Sequence, residues 1–474
     1  MAKTFMGVKL RKLRSERGMS QTALAHALGI SPSYLNQVEQ NQRPLTVSLL
    51  LKLNRALGVD IQQFSEDEEA RLIAALREAL ADAPEAISLP ELQEVVTQMP
   101  ALGRAIIAMY RRNLESAARL EAMALRMGDD RVEAAPASRV TGFEAVRDFF
   151  FAHQNHFDTL DRAAEALAQQ AELAGAALAP WLARRLQERH QVHLVIADSA
   201  DADKRQYDPR SRTLRLSYTL DAGQRAFQMA TQLGLMEAAA LIDALTQTAP
   251  FAGDMPTVRL ARIGLANYFA GALLLPYSLF LRTAQALRYD IDLLGQRFGV
   301  GFETVCHRLS TLQRPSEPGV PFFFVRVDRA GNISKRQSAT HFHFSRAGGT
   351  CPLWNVYEAF SQPGRVLAQL ARMPDGRTYL WIARTVRSGA YRGYGFPDKV
   401  FSIGLGCDVR HAHRLVYAKG LDLTDPDAAI PIGMGCKVCE RTDCPQRAFP
   451  YLGRALEVNE NVSSFSPYGA NMPS

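Results

Sequence analysis

Residues 20–45 read SQTALAHALGISPSYLNQVEQNQRPL. Ser20 is placed to cap a helix over residues 21–28, Gly29 supplies the left-handed corner, and Ile30 plugs the space beneath it. Ser31-Pro32 then repeats the start signal, an N-cap followed by proline at the first helical position, so a third helix is expected over residues 32–40. The polar face of that helix carries Ser33, Tyr34, Asn36 and Gln37, side chains able to donate to and accept from base edges in a major groove. Upstream, Val8, Leu10 and Leu13 recur at helical spacing within residues 6–16, and downstream helices are expected over residues 47–57 and into the acidic run 66–69.

Charge singles out the same module. Residues 1–64 hold nine Lys/Arg (Lys3, Lys9, Arg11, Lys12, Arg14, Arg17, Arg43, Lys52, Arg55) against Glu16, Glu39 and Asp60, a net +6 of the whole chain's +7. A compact basic module on a near-neutral body is the electrostatic footprint of a DNA reader joined to something else. The pattern closely resembles the Xre/Cro-type helix-turn-helix family. That resemblance implies phosphate contacts from Gln21 and Arg43, base contacts from Ser31, Ser33, Tyr34, Asn36 and Gln37, and dimers on double-stranded operator DNA.

The rest of the 474 residues is long enough for several domains, with 47% apolar and 22% charged residues, a balance that excludes a disordered or membrane-embedded chain. No apolar leader precedes the basic residues of the first helix, so a cytoplasmic location is expected. Ile263–Leu281 carries no charge over 19 residues, but Pro276 breaks it, and a buried helix ending there is expected in place of a membrane span. Residues 66–138, rich in Ala, Leu, Glu and Arg, read as a helical linker or dimerisation region.

A helix over residues 141–177, strands at 193–197 and 213–218, and a helix from about Ala222 come next. That last helix contains Phe227-Gln228-Met229-Ala230-Thr231-Gln232-Leu233-Gly234-Leu235 and resembles the zinc helix of ImmA/IrrE-type metallopeptidases, whose pattern is His-Glu-x-x-His. Thr231, Gln232 and Leu235 stand at the diagnostic positions, and Leu265 precedes Ala266-Asn267 where the family has its third ligand, a glutamate. Threonine and leucine cannot replace imidazole and glutamine cannot act as general base, so hydrolysis by this route is not expected and no catalytic residue is assigned. The helix pair over residues 290–312, with Gly299 at its corner, is read as structural.

Beyond Pro321 the pattern turns to strands at 322–327, 337–345, 379–386 and 400–405, with helices expected over 353–360 and 364–371. No cysteine precedes Cys306, yet Cys407, Cys436, Cys439 and Cys444 crowd the C-terminal part. That spacing argues for four thiolates on a metal or cluster, zinc and iron-sulfur both being compatible. Glycines 404, 406, 433 and 435 flank these ligands and are read as N–H donors to sulfur.

The order of domains, together with Gly331-Asn332-Ile333-Ser334-Lys335-Arg336, Cys351-Pro352-Leu353-Trp354-Asn355 and the CKVCERTDCPQRA segment at 436–448, resembles the short-chain fatty acyl transcriptional regulator family. The resemblance implies an acyl-CoA effector, propionyl-CoA or acetyl-CoA, and a [4Fe-4S] cluster on the C-terminal cysteines. Lys335, Arg336 and Arg346 are candidates for the effector's phosphates, and Trp354 with Phe342, Phe344 and Phe269 for its acyl tail.

The expected fold is multidomain and mainly α: an all-α helix-turn-helix domain (1–65), a helical linker (66–138), an α+β zincin-like domain (139–315) and an α+β sensor domain (316–474). The expected function is that of a homodimeric, acyl-CoA-controlled DNA-binding regulator, not an enzyme. A redox or iron-sulfur-sensing regulator and a repressor-cleaving metallopeptidase are the alternatives.

Overall fold

The computed structural model describes residues 7–40, 42–43, 46–57, 66–81, 87–127, 139–174, 177–197, 203–340, 342, 350–387, 394–395, 399–441 and 444–450. It forms two compact units, one of residues 1–130 with 341–348 and 435–474, the other of 131–340 with 349–434. The expected boundary near residue 315 therefore falls inside a single unit.

The first unit opens with α1 (Gly7–Glu16), α2 (Gln21–Ala27), α3 (Pro32–Glu39) and α4 (Val47–Leu57). Their apolar faces meet at Leu10, Leu24, Leu28, Leu35, Val38, Leu49 and Leu53. The two serine caps form as read: Ser20 Oγ accepts from the Ala23 N–H and Ser31 Oγ from the Tyr34 N–H, each at 3.1 Å. Gly29 takes φ +58° at the corner, a conformation that a side chain would strain. The linker region is a second helical group, α5 (Glu66–Ala79), α6 (Leu89–Gln98) and α7 (Pro100–Met127), closed on Leu76, Leu92, Val96 and Ile107. Arg77 of α5 pairs with Glu440 at 2.8 Å, so the cysteine-bearing segment from residue 435 belongs to this unit.

The second unit begins with α8 (Arg139–Ala152), α9 (Asp158–Leu173) and α10 (Leu178–His190). The single helix expected over 141–177 is interrupted, because Gln154 and Asn155 are left-handed (φ 50° and 58°) and Asn155 is buried, its amide donating to the Ser338 carbonyl. Next come β1 (His193–Ala197), β2 (Arg205–Asp208) and β3 (Thr213–Ser217), in sheet order β1-β3-β2. The helices α11 (Ala222–Glu237), α12 (Ala239–Gln247), α13 (Met255–Leu274), α14 (Tyr277–Ala286), α15 (Ile291–Phe298) and α16 (Phe302–Leu309) follow. The uncharged stretch spans α13 and α14, which bend by 61° and are largely buried. Among the described residues no single helix is long and apolar enough to cross a membrane.

A six-stranded sheet completes the unit: β4 (Phe323–Val327), β5 (Ile333–Ser338), β6 (Leu367–Arg372), β7 (Thr378–Arg387), β8 (Val400–Asp408) and β9 (Ile430–Pro431), in order β5-β4-β8-β7-β6-β9. Three expectations are corrected. Residues 364–371 are not a helix: past Gly364, at φ +80°, Leu367–Arg372 pairs antiparallel with β7, and the ladder overrides the helical propensity of the Leu/Ala/Gln run. The strand expected at 337–345 starts earlier, because Gly331 (φ +86°) closes a β4–β5 hairpin in which Asp328 Oδ1 accepts from the Ala330 and Asn332 N–H groups. Its remainder, beyond Thr340, lies mostly outside the described residues. The helix expected at 353–360 shrinks to α17 (Asn355–Glu358).

One buried ion pair ties these parts together. Asp161 on α9 is fully buried and accepts from Arg308 of α16 at 2.8 and 3.1 Å, from Tyr268 of α13 at 2.6 Å and from Arg314 at 3.4 Å. Arg308 also donates to the Leu275 carbonyl, so most of its fork is used. Replacing Asp161 by Asn is expected to destabilise the second unit by about 3–5 kcal/mol, by leaving a buried guanidinium uncompensated. Denaturant unfolding followed by the tryptophans Trp181, Trp354 and Trp381 checks this, and an unchanged midpoint would contradict it.

His307 supplies a pH dependence. Burial, followed by the charge of Lys335, pushes its imidazole down to about 3 from 6.5, with Glu303 opposing; Arg308 and Arg326 add to the depression, and Nε2 meets the Gln337 amide at 3.1 Å. The unfolded chain then binds the proton that the folded chain refuses, so stability is present above pH 6.5 and falls as pH drops from there toward 3. His307→Gln should flatten the fall in unfolding midpoint between pH 7.5 and 5.

Candidate nucleic-acid interface and ligand sites

On α3, Leu35, Val38 and Glu39 face inward, leaving Ser33 and Asn36 exposed and Tyr34 and Gln37 half-buried. Arg43 stacks 5.6 Å from the Tyr34 ring centroid, and its N–H donates to the Gln37 carbonyl, which holds it beside the C-terminal end of the helix. Ser31 spends its hydroxyl oxygen on the cap. Gln21 is similarly engaged: its amide donates to Asn36 Oδ1 at 3.1 Å and to Glu39 Oε2 at 2.9 Å. The seven nominated residues thus gather at α2, α3 and the turn after it, with Ser33, Gln37 and Arg43 the least committed.

Glu39 went unnoticed in the sequence, although it is one of only three acids among the first 64 residues. It is 2% exposed and binds Arg14 through both oxygens at 2.7 and 3.1 Å, while Arg11 donates to its carbonyl. The pair locks α1 to α3 and, through Gln21, to α2. Glu39→Ala should speed amide exchange across residues 20–40 roughly ten- to hundredfold, the equivalent of about 1–3 kcal/mol for buried donors left unpaired. Exchange at the wild-type rate would show that the pair does not hold the reader together.

The helix that resembles a zinc helix is α11. Thr231 Oγ donates to the Phe227 carbonyl at 2.8 Å and lies 3.3 Å from Asn267 Oδ1, so it serves helix packing. Gln232 is buried and accepts from Arg205 Nη1 at 3.3 Å: a guanidinium from β2 faces the position where the metallopeptidase pattern has its general base. Leu265 is fully buried in α13, and a Cβ at Gly234 would come within 2.8 Å of the Phe269 ring. Phe269 is therefore packed against α11 and does not line a slot.

The cysteines divide between the units. Cys407 points from β8 into the apolar core of the second unit, where burial raises its thiol. Cys436 and Cys439 flank a 3-10 turn in the first unit and are buried, with Cys444 half-buried; Arg447 donates to the carbonyls of Cys436 and Cys439 at 3.3 and 2.8 Å. Among the described residues no three of His, Cys, Asp or Glu converge as metal ligands. Gly404 and Gly406, expected to serve sulfur, instead make room for neighbours: a Cβ at Gly404 would lie 2.6 Å from Val356, and one at Gly406 would strike the Phe323 ring. Gly433 does donate to sulfur, but to that of Cys351.

The nominated effector residues are not brought together. Lys335 on β5 pairs with Glu303 at 3.1 Å, and Arg336 lies 3.6 Å from Glu144. Trp354 is buried at the other side of the sheet, its Nε1 donating to the Gly433 carbonyl, while Phe342 is a buried core ring. Arg346 and Phe344 lie outside the described residues. Beside Trp354 a cavity of about 650 Å³ opens between α17 and β6, lined by Tyr357, Leu367, Leu370 and Ile430 with no cationic side chain.

Comparison with known proteins connects these observations. Family models match residues 10–64 as a helix-turn-helix, 187–310 as an IrrE N-terminal-like domain and 311–468 as the C-terminal part of a short-chain fatty acyl coenzyme A regulator. The chain is 50% identical to the HTH-type transcriptional regulator PrpR of Mycobacterium tuberculosis, over 99% of this chain and 96% of that one. The chain belongs to the short-chain fatty acyl coenzyme A regulators. This regulator is also 51% identical to the HTH-type transcriptional regulator RamB of M. tuberculosis, over 99% of each chain. A solved structure, described as a Mycobacterium tuberculosis transcriptional regulator, matches at TM-score 0.66 and 54% identity, covering 69% of this regulator and 99% of that chain. The relatives are transcription regulators and not enzymes, which agrees with the side chains at Thr231, Gln232 and Leu235. The regulator is a DNA-binding transcription factor with a peptidase-like body.

Proposed function

We propose that the chain controls genes of short-chain acyl-CoA metabolism as a cytoplasmic homodimer on operator DNA, and that bound propionyl-CoA or acetyl-CoA sets its affinity for that DNA. The reading is carried by the coupling, in one chain, of a capped and internally locked reader to a peptidase-like body whose diagnostic positions hold Thr231, Gln232 and Leu235. One full-length relative, 41% identical, is named the propionyl-CoA carboxylase regulator of Cereibacter sphaeroides, which supports this class of effector. An effector that binds one arrangement of the dimer better shifts the population toward it, and the DNA affinity changes by the same coupling free energy.

Fluorescence anisotropy on the chain's own promoter, at fixed salt, with propionyl-CoA, acetyl-CoA and free CoA, tests the reading. A selective change in DNA affinity with one acyl-CoA is expected. Unchanged affinity with all three would overturn the effector.

A second reading gives the signal to Cys407, Cys436, Cys439 and Cys444, as ligands of a [4Fe-4S] cluster or zinc. One observation favours it: Glu440, next to Cys439, is paired with Arg77 in the unit that contains the DNA reader, so a change at the thiols has a route to that unit. Metal and sulfide analysis of anaerobically prepared protein distinguishes the two, because this reading requires stoichiometric metal that Cys439→Ser abolishes.

A further inference from the structure

The 28-residue helix α7 has one face buried within its own helical group and a second apolar face that is exposed. Gly103 and Ile107 form the buried face. A Cβ at Gly103 would lie 3.1 Å from Leu76 of α5 and 3.7 Å from Leu72 and from Val95 of α6, and Ile107 closes the same small core. About a quarter turn round the helix, Leu102 and Met109 are 46% and 65% exposed, with Ile106 half-buried between them and Asn113 exposed one turn on. The sequence continues the alternating steps of three and four residues with Ser116, Leu120, Met123 and Met127, the last residue of the helix. Apolar residues at that alternation, kept up for nearly four heptads, are the seam of a coiled coil.

Two features of the stripe say what covers it. Asn113 stands at its middle, where an apolar partner would leave the amide desolvated and unpaired. A second copy aligned in parallel places Asn113 opposite Asn113, so that the two amides bond to each other and fix the register. The other feature is charge: Arg112, Arg119 and Arg126 recur every seven residues along one flank of the stripe, and Tyr110, Ala117 and Ala124 along the other. An antiparallel pair would bring the two arginine rows face to face, at a cost in repulsion, whereas a parallel pair sets each row against the uncharged flank.

We infer that the face of α7 bearing Leu102, Met109 and Asn113 is the seam of a parallel two-stranded coiled coil with a second copy of this chain. This rests on the homodimer proposed above and names the surface that makes it. Parallel pairing also keeps equivalent ends of the two chains together, as recognition of two half-sites by two readers requires.

Cysteine cross-linking in the full chain tests the register, because a parallel seam brings each seam residue against its own copy. On mild oxidation Ser116→Cys should give a disulfide-linked dimer on a non-reducing gel. Arg104→Cys, exposed on the opposite side of the same helix, should not. Sedimentation equilibrium of L102E/M109E should show self-association weakened about a hundredfold or more, since the seam would then bury four carboxylates. Both side chains are exposed, so the Gly103–Ile107 contact survives and the variant should unfold at the wild-type denaturant midpoint. Wild-type association in L102E/M109E, together with no Ser116→Cys link beyond that of Arg104→Cys, overturns the seam and leaves the homodimer to another surface. A wild type that sediments as a monomer overturns both.

Discussion

The carboxylate of Asp161 is fully buried, and everything around it in the second unit is arranged to justify the charge. Arg308 answers it from α16, Tyr268 from α13 and Arg314 from the segment that leads into the large sheet. Desolvating such a group costs several kcal/mol, which only near-complete hydrogen bonding recovers. The pair therefore fixes where α9, α13 and α16 lie with respect to one another. Arg314 also reaches back to Asp161 and Glu165, so the sheet-bearing part packs on the helices through the same clamp and shares one apolar core with them.

With that frame in place the peptidase-like body does not need a metal at its centre. Two of the diagnostic positions are turned to local contacts, Thr231 toward Asn267 and Gln232 toward Arg205, and Gly234 beside them makes room for Phe269. The ionic clamp lies on other elements, so its stability contribution does not depend on zinc. What the body keeps is a rigid set of strands and helices on which charged side chains hold fixed positions, as Arg326 and Glu303 do.

The reader was legible residue by residue, because each of its signals is local: two serine caps, a left-handed glycine and a proline at N1 act over three or four residues. The same holds for the loss of the His-Glu-x-x-His pattern, a matter of three side chains on one helix. Non-local features were not legible. β2 was missed because its pattern, Arg205-Gln206-Tyr207-Asp208, is short and polar and becomes a strand only by pairing with β3. Residues 364–371 carry helix-forming types but are claimed by β7. Glu39 reads as one more surface acid until folding brings Arg14 against it, 25 residues away.

The proposed control by an acyl-CoA requires that events in the second unit reach the DNA reader. Hydrogen exchange of the full chain, free of DNA, with and without saturating propionyl-CoA measures this directly. Altered exchange is expected both in the second unit and across α2, α3 and α4 of the reader. A change confined to the second unit would contradict it.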